Sequence, residues 1–479
     1  MLFNSFSFLL FFVIVTPLYY LTGYRWRWLL LLIASCYFYA SFIPAYLLIL
    51  FAIIGIDYIA GRCIEPATGK RRKGFLLLSL AANLGALALF KYYNFFIGNV
   101  NYLLALIHIQ TVPFPLWRLA LPLGLSFHTF QAMSYTIEVY RGHQKAERHL
   151  GIYALYVMFY PQLVAGPIER PAELLPQLHQ PHRHDYNNIA DGLKKMLVGF
   201  FMKVVVADRL AIYVNYIYRY PDVHSRAALL LTAFFFAFQI YCDFAGYSLI
   251  AIGSAQTMGI TLARNFNIPL LSRSVIEYWR KWHISLSTWF TDYLYTPIVI
   301  EKRHWGKWAV IYGLFVTFFL SGLWHGAAWT FVIWGLLHAV MMTIEFLTAR
   351  WKPRPQHSAG KAVFALIRWS ITFSFLCFTW IFFRAASIRQ AFTIIGRIAS
   401  PHTIGESPNE FREHALLTYC LFGIGCIALA DLKAKFYPEK QLFLDHPRPV
   451  IRLLACTTLI VLILLLGVFN GSQFIYFQF

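Results

Sequence analysis

Residues 308–346 read WAVIYGLFVTFFLSGLWHGAAWTFVIWGLLHAVMMTIEF. Near their middle lies Ser321-Gly322-Leu323-Trp324-His325-Gly326-Ala327. The stretch is apolar enough and long enough to enter a bilayer, where about 20 apolar residues make one crossing. An ionisable side chain at that depth is costly, and its default reading is functional. A neutral imidazole costs less than a fixed charge and can still carry a proton. Gly322 and Gly326 have the small-xxx-small spacing that lets another helix come close. The plainer reading of His325 is therefore a histidine bonded across a helix contact. His338 lies thirteen residues further on. That is about 220° round a regular helix, so it faces elsewhere and reads as structural.

The rest of the chain agrees with a membrane protein. Its 479 residues are 59% hydrophobic and 13% charged, against about 25% charged in soluble domains. Apolar runs cover residues 2–20, 76–90, 227–241, 308–320, 327–344, 362–383, 416–430 and 453–469, with further helices near 28–42 and 45–60. On the length rule the chain is all-α and polytopic, with about eleven transmembrane helices. The apolar start lacks a basic leader region and a small-residue cleavage site, so it reads as a retained first helix. Tyr and Trp suit the two membrane interfaces. The seven cysteines form no CxxC pair. They read as small buried hydrophobes, not as a metal site or a disulfide framework.

The formal charge is +20. The bases lie in short loops and form no stripe on a soluble domain, which argues against nucleic acid. Arg25 and Arg27 follow the first helix. Two helices later come Arg62, Lys70, Arg71, Arg72 and Lys73. Both clusters fall on one side, which the positive-inside rule makes cytoplasmic, with the N-terminus outside. Such bases can hold anionic membrane lipids. No long polar linker divides the chain, so residues 1–479 read as a single domain, with loops at 177–188 and 349–361. Residues 160–176 hold four prolines and two glutamates, and Lys203, Asp208, Arg209 and Asp243 stand in or beside apolar runs. Polar or irregular backbone at depth needs protein or a wet cavity around it, so re-entrant, interfacial or broken helices are expected there.

A second histidine motif is Trp279-Arg280-Lys281-Trp282-His283-Ile284-Ser285-Leu286-Ser287. On a continuous helix Trp279, His283 and Ser287 share a face. Arg280 lies beside His283, and Glu277 reaches Lys281. Such a face suits a site lining and equally suits an interfacial amphipathic helix. Forty-two residues separate His283 from His325, with Lys302, Arg303, His304 and Lys307 about midway. A hairpin turning there brings both histidines to similar depth, although Asp292 and Pro297 interrupt its first leg. No serine elbow, P-loop, dinucleotide fingerprint or HExxH zinc motif is present. Chemistry at this site then rests on proton transfer by histidine, with no tightly bound cofactor and no metal.

These two motifs do not stand alone. Phe90-Lys91-Tyr92-Tyr93-Asn94-Phe95, Leu121 to Phe127, Tyr135 to Arg141 and Ala165-Gly166-Pro167-Ile168 precede them. Asp243 to Ser248, Asn265-Phe266-Asn267-Ile268-Pro269, Asp292 to Tyr295, Phe383-Arg384-Ala385 and Phe474 to Phe477 complete the series. In order and spacing the set resembles the membrane-bound O-acyltransferase family, nearest its alginate O-acetylating branch and similar to its teichoic acid D-alanylating branch. The resemblance implies a helical membrane enzyme with a central tunnel or funnel. It places the invariant family histidine at His325 and the other recurrent one at His283. It also implies a cytoplasmic thioester donor, an acceptor on the outer side and, in the polysaccharide branch, an extracytoplasmic esterase-like partner. The chain departs from the branch at Thr291, at Leu249 and in Thr296-Pro297-Ile298-Val299-Ile300. Those positions bear on donor or partner contacts, not on the histidines.

The expected activity is thus O-acetyl transfer from acetyl-CoA or an acyl carrier thioester to a cell-envelope polysaccharide, in the bacterial inner membrane. His325 is the expected general base. His283 is expected to orient the thioester or to support charge on its carbonyl oxygen. Trp279, Arg280, Trp282, Ser287, Trp324 and Asp243 are candidate donor contacts. Asp243 and Asp292 read rather as structural partners of nearby bases, since a buried unpaired carboxylate is costly. The alternatives are transfer of D-alanine or another acyl group from a carrier protein, a proton-coupled transporter or flippase, and a non-catalytic scaffold.

Overall fold

The computed structural model describes residues 1–108, 114–117, 121–349, 357–400, 414–438 and 443–469. The centre of the 349–361 loop and the motif Phe474 to Phe477 lie outside the described residues. Among the described residues every regular element is helical. They form two compact units, Met1–Lys195 with Ile250–Ala263, and Met196–Leu249 with Arg264–Phe479.

The first unit begins with α1 (Phe6–Leu21), α2 (Tyr24–Ala40), α3 (Tyr46–Ile64) and α4 (Gly69–Leu87). It continues through α5 (Tyr93–Leu106), α6 (Leu125–Arg141), α7 (Leu150–Met158), α8 (Tyr160–Leu163) and α9 (Pro171–Leu178). Helices α3, α4 and α6 pack on one another. A buried polar knot ties them. Asp57 accepts from the Ser79 hydroxyl at 2.6 Å and from the Asn83 amide at 3.0 and 2.9 Å. The Ser79 oxygen lies 2.9 Å from Thr136 Oγ1. Each donor removes part of the cost of a carboxylate held away from water. The irregular stretch after α7 is enclosed by protein, since residues 160–169 are all buried. That is the condition under which non-helical backbone is tolerated at depth.

The chain passes through α10 (Tyr186–Phe200) to the second unit. There follow α11 (Asp208–Arg219), α12 (Arg226–Gln256), α13 (Val275–Trp279), α14 (Ile284–Phe290), α15 (Thr296–Glu301) and α16 (Lys307–His325). The last are α17 (Trp329–Leu347), α18 (Ser358–Arg384), α19 (Ile388–Ala399), α20 (His414–Phe436) and α21 (Pro449–Leu466). A π-helical segment, Phe201–Ala207, precedes α11. It carries Lys203, whose ammonium lies 2.8 Å from Asp208 and 2.6 Å from Asp243. Lys203, Asp208 and Asp243, which interrupt these apolar runs, are thus paired with one another, and Arg209 donates to the Leu466 carbonyl.

Eight helices among the described residues are long and apolar enough to cross a membrane, where the sequence leads one to expect about eleven. Two of the expected runs, α1 with 16 residues and α2 with 17, are not among the eight. Helices α16 and α17 make the tightest pair. A Cβ on Gly322 would lie 2.4 Å from the Phe331 carbonyl oxygen, and one on Gly335 would lie 2.2 Å from that of Phe318. The close approach foreseen from the small-residue spacing is made by α17.

Candidate active site

Residues 265–267 run beside residues 281–284, joined by Asn267 N–H to the Lys281 carbonyl at 3.0 Å and by Ile284 N–H to the Asn265 carbonyl at 2.9 Å. Helix α13 enters this region with two caps. Ser274 Oγ accepts from Glu277 N–H at 3.0 Å. The Glu345 carboxylate, on α17, accepts from Val275 N–H at 2.7 Å and Ile276 N–H at 3.0 Å. The acid inside the apolar α17 stretch therefore satisfies amides that a helix N-terminus leaves unbonded, and it meets the positive end of the dipole.

The helix expected to carry Trp279, His283 and Ser287 on one face does not form. Helix α13 ends at Trp279, and His283 takes a left-handed conformation with φ 42° and ψ 54° before α14 starts at Ile284. That conformation is uncommon outside glycine, and such strain persists where the surroundings over-determine it. The predicted Glu277–Lys281 pair does form, at 2.7 Å.

His283 is buried, with its ring edge-on to Phe244 at 4.5 Å. It lies outside the eight crossing helices. Burial pushes its imidazole down to about 3, so the ring is neutral at physiological pH. Its Nδ1 lies 3.4 Å from Asn265 Oδ1. The same oxygen accepts from the Ser285 hydroxyl at 2.7 Å and from Ser285 N–H at 3.4 Å. The Asn265 amide nitrogen donates to Ser248 Oγ at 3.2 Å. A backbone N–H can only donate, which fixes the oxygen of Asn265 toward Ser285 and His283. Nδ1 of His283 must then be the protonated nitrogen, and Nε2 carries the lone pair. In the sequence Asn265 stands out only as part of a motif. Its role as the hub of this network has no signal in residue spacing.

His325 is the last residue of α16. Its ring is packed among Trp324 at 5.0 Å, Trp334 at 5.0 Å and Phe383 at 5.4 Å. Trp324 also meets His283 at 6.0 Å. The two imidazoles thus share one indole and lie no further apart than the sum of those two contacts. The buried indole N–H groups of Trp334 and Trp380 find no acceptor among the described residues.

The reading of His338 needs one correction. Because α16 stops at His325 and α17 restarts at Trp329, the angle along one continuous helix does not apply. Trp334 contacts both His325 and His338, each at 5.0 Å. The His338 ring is met at both nitrogens. Trp279 Nε1–H donates to its Nδ1 at 3.2 Å, and the Thr379 oxygen lies 3.3 Å from its Nε2.

Beside the histidines is a cavity of about 410 Å³, lined among others by Trp279, Arg280, Ser287, Thr291, Phe318 and Ser321. Three of the predicted donor contacts, Trp279, Arg280 and Ser287, therefore share one chamber. So does Thr291, a position where the chain departs from the branch it resembles. Ile284, next to His283, and Ser321, one turn before His325, also reach it. Trp324 sits instead between the histidines. Trp282 packs in the core against Phe266 at 5.0 Å, Tyr278 at 5.4 Å and Trp380 at 5.4 Å. Asp243 is held by Lys203.

Crossing helices, two buried histidines against a common indole and an adjoining amphipathic chamber are the parts of a multi-pass membrane acyltransferase. Residues 116–388 match the membrane-bound O-acyltransferase family. The chain belongs to that family. It is 38% identical to a probable alginate O-acetylase of Pseudomonas aeruginosa, over 92% of this chain and 82% of that protein. It is 33% identical to a peptidoglycan O-acetyltransferase of Helicobacter pylori, over 76% of this chain and 72% of that protein. A teichoic acid D-alanyltransferase of Bacillus subtilis is 30% identical over 53% of this chain and 67% of that protein.

Proposed function

We propose that this acyltransferase moves an acetyl group from a cytoplasmic thioester, acetyl-CoA or an acyl carrier, to hydroxyls of an envelope polysaccharide. The transfer is direct or passes through an extracytoplasmic esterase-like partner. The protein sits in a bacterial inner membrane with its N-terminus outside. The observation that carries this reading is the pair of buried imidazoles on one indole. The greater extent of likeness to O-acetylating relatives favours acetyl over D-alanyl transfer.

In this mechanism His325 takes the proton of the accepting hydroxyl as its oxygen attacks the thioester carbonyl. The C–O bond forms, the C–S bond breaks, and the proton passes to the departing thiolate. His283, with its lone pair on Nε2, accepts a hydrogen bond and orients a reactant. A neutral ring in that tautomer has no donor at Nε2 for an oxyanion. The Trp334 N–H, on the ring that packs against His325, supplies that donor. One such donor is worth roughly 100- to 1,000-fold in kcat.

The test uses purified protein in nanodiscs with labelled acetyl-CoA and acceptor polysaccharide, and its partner where transfer requires one. His325→Ala is expected to fold and to lose transfer. Trp334→Phe is expected to lower kcat with KM little changed. Full transfer by His325→Ala would sink the mechanism. Polysaccharide that carries D-alanyl in place of acetyl esters would replace the substrate assignment.

A further inference from the structure

The first unit contains a second built cavity, of about 240 Å³, which the reaction above does not use. It lies at the turn between α1 and α2, against the start of α7 and the segment after α9. Arg25, Arg27, His149, His179 and His182 line it, with Trp28 among the aromatic walls, and no carboxylate does.

The wall is fixed by its own hydrogen bonds. Arg27 donates Nε–H to the Thr22 carbonyl at 3.1 Å and Nη1–H to the His182 carbonyl, and its guanidinium lies 4.7 Å from the Tyr19 ring. His182 donates from Nε2 to the Gln177 carbonyl at 2.8 Å. His179 is paired with Glu147 at 2.8 Å, outside the lining. His149 accepts Ile152 N–H at Nδ1, at 3.1 Å. Its proton therefore sits on Nε2, which is left as a donor on a residue that lines the cavity. Arg25 stands at the exposed rim, and among the described residues nothing hydrogen-bonds or ion-pairs with its guanidinium. Leu21, Tyr24 and Trp26, exposed around the same turn, have the character of an interfacial belt.

We propose that this cavity is a binding site for a phosphate ester. The ester's anionic oxygens would be met by Arg25 and by His149 Nε2–H, and its organic part would lie against Trp28. A guanidinium matches phosphate geometry through paired N–H donors. The volume suits a headgroup or a nucleotide phosphate better than a large ligand, since drug-sized pockets begin at about 300 Å³. The site differs from a general basic surface because its second arginine and two of its imidazoles are already locked in place. Only the rim cation and one imidazole donor are left for a ligand.

Two sources share this chemistry, an anionic phospholipid and a soluble phosphate ester. The protein is studied in phosphatidylcholine nanodiscs, with phosphatidylglycerol introduced stepwise in one arm and adenosine 3′,5′-bisphosphate titrated in the other. Thermal shift is the readout, with native mass spectrometry to count bound molecules. Saturable stabilisation is expected in one arm, and that arm identifies the source. Arg25→Glu and Arg25→Ala are expected to weaken it about tenfold or more, the loss of one charge-assisted contact, whereas Arg25→Lys, which keeps the charge but not the paired donors, is expected to fall between them and wild type. Because Arg25 is exposed, melting without ligand should match wild type. Saturation by neither probe would overturn the proposal. So would equal affinity in wild type and Arg25→Glu.

Discussion

Replacing Asn265 with alanine tests whether this residue sets the protonation state of His283. The change deletes four contacts, at 2.7 Å and 3.4 Å to Ser285, 3.4 Å to His283 and 3.2 Å to Ser248. Only the first is short. At about 0.5–1.5 kcal/mol net for each ordinary bond, and about 1–3 kcal/mol for a buried donor left without an acceptor, a loss of roughly 2–4 kcal/mol of stability follows. Catalysis should fall by a separate amount. The bond to Nδ1 is long and neutral, so its contribution to tautomer choice is about 1 kcal/mol, or roughly fivefold. Freedom of the ring to rotate adds to this, and kcat should drop by about tenfold to a hundredfold. Asn265→Asp keeps an acceptor for both Nδ1–H and Ser285 while losing the donor to Ser248, so it should retain more activity than alanine. The assay is acetyl transfer in nanodiscs at several pH values, with kcat and KM determined separately and melting recorded for each variant. A wild-type kcat in a folded Asn265→Ala protein would refute the tautomer assignment. Equal kcat losses in the alanine and aspartate variants would do the same.

Three further outcomes are expected. Gly335→Ala places a Cβ against the Phe318 carbonyl at 2.2 Å, so it should cost about 1–3 kcal/mol by overpacking and reduce transfer. Gly55→Ala, with open space at its Cβ, should do neither, and parallel melting curves decide the matter. Lys203→Met strands two buried carboxylates and should destabilise by about 3–5 kcal/mol, read as lost folded yield; a yield equal to wild type would count against the pairing. Glu169 is buried and its carboxyl is pushed up to about 8, chiefly by burial and against the bond from Ala263 N–H. The folded form keeps a proton that the unfolded chain releases near 4.5. Stability therefore falls as pH rises between those two values, by about 1.4 kcal/mol per pH unit. Melting of wild type relative to Glu169→Gln should decline from acid to mildly alkaline pH, and a constant difference would show that the carboxyl titrates normally.

Much of the fold is legible in the chain because hydropathy needs no tertiary information. The α16 and α17 runs, the close contact at Gly322 and the pairing of Glu277 with Lys281 all follow from spacing along the chain. The break at His283 does not, because residues 279–287 carry no glycine or proline to announce it. The left-handed turn is imposed from outside, by residues 265–267 alongside and by Glu345 on α13. The same blindness hides Asn265, whose four contacts are all to residues seventeen or more positions away. The error over His338 has a related origin. Periodicity applies along one helix and says nothing across the three-residue interruption after His325.

The cap from Glu345 has a consequence for how the site moves. Helix α13 has only five residues, too few to hold its own axis, and its first amides are gripped by a side chain seventy positions later in sequence. The histidine loop is thereby geared to α17. A rotation or slide of that helix would displace both histidines together, His283 through the grip on α13 and His325 through the glycine contact of α16. The separation of the two imidazoles is therefore buffered against helix motion, and a substitution at residue 345 would resemble an active-site lesion without touching either ring.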